Sequence, residues 1–182
     1  MATDSKPAGI GQVLYRRRMR LRLVREYGSL ALRWGVLALT LALLLTQVFL
    51  ITQAKGNGMY PAIKDGDLLF AFRLENALSK NDVVVYTAAE QRRVGRILGR
   101  EGDVITIDES GDLLVNGTRQ SGDILFPTYA KEGLTYPFVV PEGSVFLLGD
   151  YRTQCEDSRD FGPVPKADVE AKVITILRRR GI

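Results

Sequence analysis

Between Arg33 and Lys55 the chain runs for 21 residues without a charge, WGVLALTLALLLTQVFLITQA. At about 1.5 Å per helical residue this run extends roughly 31 Å, the thickness of a bilayer hydrocarbon core. Residues 34–54 are therefore expected to form one transmembrane helix, with Trp34 as an interfacial anchor. A secretory signal peptide would carry an apolar core of only about 7–15 residues and a small-residue cleavage site. Ile51-Thr52-Gln53-Ala54-Lys55 matches such a site poorly. A buried helix of a soluble domain fits less well, because an arginine cluster stands directly before the run.

After Lys55 the pattern changes from helical to extended. Leu68–Phe72 and Val83–Tyr86 are short apolar runs bounded by Gly, Asp and Asn, as buried strands are. Residues 104–108 alternate, and Ser110-Gly111-Asp112 turns the chain into Leu113–Val115. Asn116-Gly117 is the strongest short hairpin signal, since both residues tolerate positive φ. Further strands are expected at Phe138–Val140, Val145–Leu148 and Val169–Leu177. Pro127, Pro137, Pro141, Pro163 and Pro165 exclude long helices from this half. Residues 55–182 thus read as one compact, mostly antiparallel β domain without internal repeats. The glycosylation-like triplet Asn116-Gly117-Thr118 is common by chance and carries no weight.

Composition narrows the chemistry. The 182 residues contain no histidine and one cysteine. That removes Ser-His-Asp and Cys-His catalytic sets, intramolecular disulfides and Cys- or His-based metal sites. No cofactor is expected. The net charge of +4 is unevenly spread. Residues 1–33 carry eight basic and two acidic side chains, and residues 34–182 carry 17 and 19. Basicity confined to the segment before the span argues against a nucleic-acid-binding domain and fits contact with anionic lipid. The positive-inside rule then places residues 1–33 in the cytoplasm and residues 55–182 outside the cell membrane, in a single pass.

Four segments stand in a characteristic order. They are Gly56-Asn57-Gly58-Met59-Tyr60-Pro61, Lys80-Asn81-Asp82-Val83-Val84-Val85-Tyr86, the stretch from Arg92 to Asp103, and the stretch from Gly149 to Val164. Together they resemble the type I signal peptidases, membrane-anchored Ser-Lys proteases that remove signal peptides. The last segment is the most specific. Against the family pattern G-D-N-R-x-x-S-x-D-S-R-x-x-G-x-V, this chain keeps Gly149, Asp150, Arg152, Asp157, Ser158, Arg159, Gly162 and Val164. The resemblance implies a signal-peptidase-like antiparallel β domain behind one N-terminal transmembrane helix.

Two departures bear on activity. The family's first motif is G-x-S-M-x-P, and the nucleophilic serine falls on Gly58, between the matching Gly56 and Met59. In the third motif, K-R-V-I-G-x-P-G-D, the general-base lysine falls on Gly95, with Arg96 matching the following arginine. Acyl transfer of this kind needs a nucleophilic oxygen or sulfur and a base in hydrogen-bond reach to take its proton. Glycine offers neither.

No obvious substitute stands in the sequence. Arg93 and Arg96 flank Gly95 but remain protonated. Lys55 and Lys64 lie near Gly58 and still leave the site without a nucleophile. Cys155 occupies a position where the family often has serine, and no histidine is present to activate it. Within the family Asp157 and Arg159 brace the last motif as an ion pair, and Ser158 has a structural role.

The resemblance further implies that an extended peptide docks as an added β-strand. The expected groove residues are Met59, Leu68, Leu69, Phe70, Asp82, Val83, Val84 and Tyr86. The functional expectation is a catalytically inactive accessory or chaperone for exported proteins. It resembles the signal-peptidase-like factors of Gram-positive pilus loci, whose partners are pilin subunits and a sortase. An active signal peptidase with relocated catalytic groups, and a scaffolding subunit of a separate peptidase, are the rival readings.

Overall fold

The computed structural model describes residues 10–74, 77–120 and 125–178, with side chains from Glu26 onward. Helix α1 runs from Ile10 to Val48. Within it, Glu26–Val48 is long and apolar enough to cross a bilayer. Its Trp34, Leu37 and Leu44 side chains are exposed, so no protein surface covers them. An apolar helix left bare in this way is suited to lipid as its solvent.

The helix ends six residues earlier than its uncharged run. Phe49–Gln53 form strand β1 instead, paired antiparallel with β2. The run FLITQ contains β-branched and aromatic residues, and Leu50 is buried between its neighbours in the strand. Absence of charge alone does not distinguish a lipid-facing helix from a half-buried strand.

The remaining strands are β2 (Leu68–Phe72), β3 (Val83–Ala88), β4 (Gln91–Arg100), β5 (Val104–Ile107), β6 (Leu113–Val115), β7 (Thr118–Arg119), β8 (Phe138–Val139), β9 (Ser144–Leu148), β10 (Val164–Pro165) and β11 (Val169–Leu177). A four-residue helix, α2, covers Ser158–Phe161. One sheet has the order β1-β2-β11-β3-β4-β9-β10 and the other β7-β6-β5-β8. Every pairing between these strands is antiparallel. The domain is thus mostly antiparallel β, as expected. Asn116 and Gly117, with φ of 54° and 77°, close the β6–β7 hairpin as their sequence signal requires.

Period-2 alternation divides the core into layers. Val84, Tyr86, Ile97, Val145, Leu147 and Val164 pack on one face of the large sheet. Leu50, Ala71, Val85 and Ala171 pack on the other. Met59 and Ile63 follow β1 and seal its end against Ala54 and Leu69.

Candidate functional site

A groove of about 680 Å³ opens in the β domain. Its lining includes Thr52–Lys55 from the end of β1 and Glu90–Val94 from the start of β4. The half-buried Val94 and the buried Met59, Ile63 and Val85 form its apolar wall, and Gly58, Gly149 and Cys155 complete the arrangement. Two strand edges border it. Strand β1 pairs with β2 on one side only. Strand β9 pairs with Arg96–Arg100 of β4 and leaves the outer edge of Gln91–Val94 without a strand partner. Free backbone edges beside apolar side chains are what an added strand requires.

Of the expected groove residues, only Met59 lines this groove. Leu68, Leu69 and Phe70 belong to β2, which is flanked by β1 and β11 and has no free edge. Asp82 is engaged with Lys172 at 3.0 Å. Val83 lies beside it at the start of β3. Val84 and Tyr86 point into the core layer formed with Ile97 and Leu147. Their neighbour Val85 faces the groove, because successive side chains of a strand point to opposite faces. Of the run Asp82–Tyr86, Val85 is the residue at the groove wall.

Behind the groove, the last motif forms a buried polar brace. Asp157 and Arg159 are each 1% exposed and pair through two bonds, Nη2 to Oδ2 at 2.8 Å and Nε to Oδ1 at 2.9 Å. Arg159 also donates to the carbonyls of Arg152 and Tyr129. Asp157 caps α2, completing a reciprocal capping box with Asp160. It also accepts from the Gly149 amide. The Ser158 hydroxyl oxygen accepts the Leu147 amide in the interior, so it is a structural acceptor with no access to a substrate. Arg152 is buried as well and donates to Thr128 and Gln120.

A second brace was not anticipated from sequence. Arg96 grips Asp150 with a bidentate pair, at 2.8 and 2.7 Å, and donates to the Asn81 carbonyl. It fastens β4 to the Gly149–Asp150 loop. The two residues are 54 positions apart, and their adjacency in the matched motifs was the available signal.

Gly58 sits where these elements meet. Its carbonyl accepts the Tyr151 amide at 2.9 Å. Cys155 lies beside it, and its thiol donates to Asp157 Oδ2 at 2.9 Å. Burial, reinforced by the Asp157 charge, pushes the Cys155 thiol up to about 12. A nucleophilic cysteine requires the opposite shift. In the folded protein Cys155 is accordingly expected to resist alkylation by iodoacetamide at pH 8 and to react once the chain is unfolded in urea. Mass spectrometry reads the difference, and rapid labelling of the native state would refute it.

Gly95, on β4 opposite Val84, is not part of the groove lining. Arg93 and Lys64 are each engaged with a neighbouring side chain. Arg93 pairs with Glu156 at 2.7 Å, and its guanidinium lies 5.7 Å from the Phe161 ring centre. The Lys64 ammonium stands 5.9 Å over the Tyr60 ring.

A model of the signal peptidase, peptidase S26, family matches residues 27–177. The chain belongs to this family. It is 30% identical over 156 residues to a signal peptidase I of Bacillus caldolyticus, an alignment covering 77% of this chain and 85% of that protein. It is 31% identical over 128 residues to the mitochondrial ATP-independent inner membrane protease subunit 1b of Arabidopsis thaliana. That alignment covers 66% of this chain and 65% of the relative, so the chain spans slightly less than two thirds of the plant protein's length. A crystal structure of a signal peptidase I from Enterococcus faecalis V583 aligns at 30% identity with a TM-score of 0.44, over 55% of this chain and 98% of that one.

Proposed function

We propose that the chain is a non-cleaving member of the signal peptidase family that holds extended segments of exported proteins. One observation carries the reading. The groove and its brace are intact, while the positions matching nucleophile and base are Gly58 and Gly95. An oxyanion site beside Gly58 would have no charge to stabilise when nothing attacks. Strand addition needs neither missing side chain.

The apolar helix fits a membrane anchor, as in signal peptidase I relatives. The excess of arginine before the span supports a cytoplasmic N-terminus and an extracytoplasmic β domain. The client class we favour is the pilin subunit of sortase-assembled surface polymers, by analogy with non-catalytic family members.

The test combines cleavage with binding. Purified full-length protein in detergent is expected to leave a preprotein uncut while binding an extended pilin-derived peptide, read by fluorescence anisotropy. Val94→Arg, which puts a charge on the apolar groove surface, is expected to weaken that binding at least about tenfold, equivalent to about 1.4 kcal/mol. In cells, deletion of the gene is expected to abolish surface polymers and leave signal-peptide removal intact. Preprotein cleavage that Cys155→Ala abolishes would establish the relocated-catalyst reading instead.

A further inference from the structure

The glycine that stands for the base is covered by a large neighbour. A methyl group added at Gly95 would lie 3.0 Å from Tyr86 Cε1. It would also lie 3.5 Å from both the Tyr86 hydroxyl and the Leu148 carbonyl oxygen. Tyr86 is 1% exposed. In the β3–β4 register it pairs with Arg93 and lies diagonally across from Gly95, within reach of an aromatic ring. Phe161 of α2 packs on its other side, with ring centres 6.4 Å apart.

Burial holds the Tyr86 hydroxyl far above the usual tyrosine range, and the Asp157 charge adds to that rise. Tyr86 therefore covers the space beside the Gly95 backbone. The groove lining follows the alternation of side chains along both strands. It takes in Val85 and Val94, the neighbours of these residues, and neither Gly95 nor Tyr86.

We propose that Tyr86 is a plug that fills the volume a side chain at position 95 would enter, closing the site to any base by packing as well as by composition. The plug deepens the non-cleaving reading and rests on it only for the meaning of position 95. The geometry also gives the two positions unequal tolerance. At Gly58 an added methyl would meet only Cys155 Cβ, at 3.3 Å. At Gly95 it meets the ring of Tyr86 at 3.0 Å, a side chain 1% exposed and packed near Phe161, while its approach to the Leu148 carbonyl is ordinary contact.

The opposed signs of two effects make this measurable. Glycine weakens a strand interior, so Gly→Ala at an open strand site is expected to raise stability. Forcing a methyl into packed space lowers it. Thermal unfolding of the full chain in detergent is to be read for Gly95→Ala in two backgrounds, native and Tyr86→Leu. With Tyr86 present, Gly95→Ala is expected to lower Tm by about 3 °C. With leucine at position 86 the same change is expected to leave Tm unchanged or raise it. A rise in Tm with Tyr86 intact, or equal shifts in both backgrounds, would overturn the plug. Should Tyr86→Leu fail to fold, the sign of the shift in the native background decides by itself. These melts read packing alone, so a protein that proved to cleave preproteins would refute the functional reading and leave the plug standing.

Discussion

Arg159→Met is expected to lower the stability of the β domain by about 3–5 kcal/mol, the range for removing one partner of a buried ion pair. Arg159 and Asp157 are both 1% exposed, so the substitution strands a carboxylate in the interior. It also unbinds the Arg152 and Tyr129 carbonyls that the guanidinium satisfies. Methionine preserves much of the apolar volume, so the loss reports the charge and its hydrogen bonds rather than a cavity. Arg159→Lys is expected to recover only part of it, because an ammonium cannot reproduce the planar fork. Urea unfolding followed by tryptophan-independent circular dichroism checks both variants, and a loss under 1 kcal/mol for the methionine variant would contradict the account.

Gly149→Ala is expected to be the second most damaging change, costing about 1–3 kcal/mol as overpacking does. An added methyl would lie 2.5 Å from both the Gly58 carbonyl oxygen and Cys155 Sγ. Contacts that short force the backbone of the first motif away from that of the last. Cys155→Gly in the same chain relieves the contacts with Cys155 Sγ and Cβ but not that with the Gly58 carbonyl, so the double variant is expected to remain less stable than Cys155→Gly alone. Chemical denaturation of the pair measures this. Equal stability of the two would mean that the Gly58 carbonyl yields freely. Since Gly58 and Cys155 line the groove, Gly149→Ala is also expected to weaken peptide binding.

The strands that could be read from the sequence were those whose hydrophobic pattern was uninterrupted. Leu68–Phe72, Leu113–Val115 and Val169–Leu177 occur at the expected residues. The ten-residue β4, the longest strand, was not read as one, because Gln91–Arg100 contains four arginines and two glycines. Its arginines are used by partners far along the chain, Arg92 by Glu170, Arg93 by Glu156 and Arg96 by Asp150. Such a strand has no period-2 signature until those partners are known. Strand β1 was hidden for the opposite reason, its apolar residues merging with those of the helix before it.

The site divides in the same way. Gly58, Gly95 and the Asp157–Arg159 pair were legible because motif spacing survives in linear order. The groove surface was not, since it depends on which face each strand turns inward. A shift of one residue separates Val85 on the groove from Tyr86 in the core.

By itself the sequence determined that the chain has an apolar segment of membrane-spanning length, an antiparallel β domain and no nucleophile or base at the matching positions. Those properties follow from residue type and local spacing. Only the tertiary structure decided where the helix gives way to β1, which side chains face the groove, and that the space beside Gly95 is filled. These depend on strand register and on ring packing between residues distant in the chain, and a linear pattern carries neither.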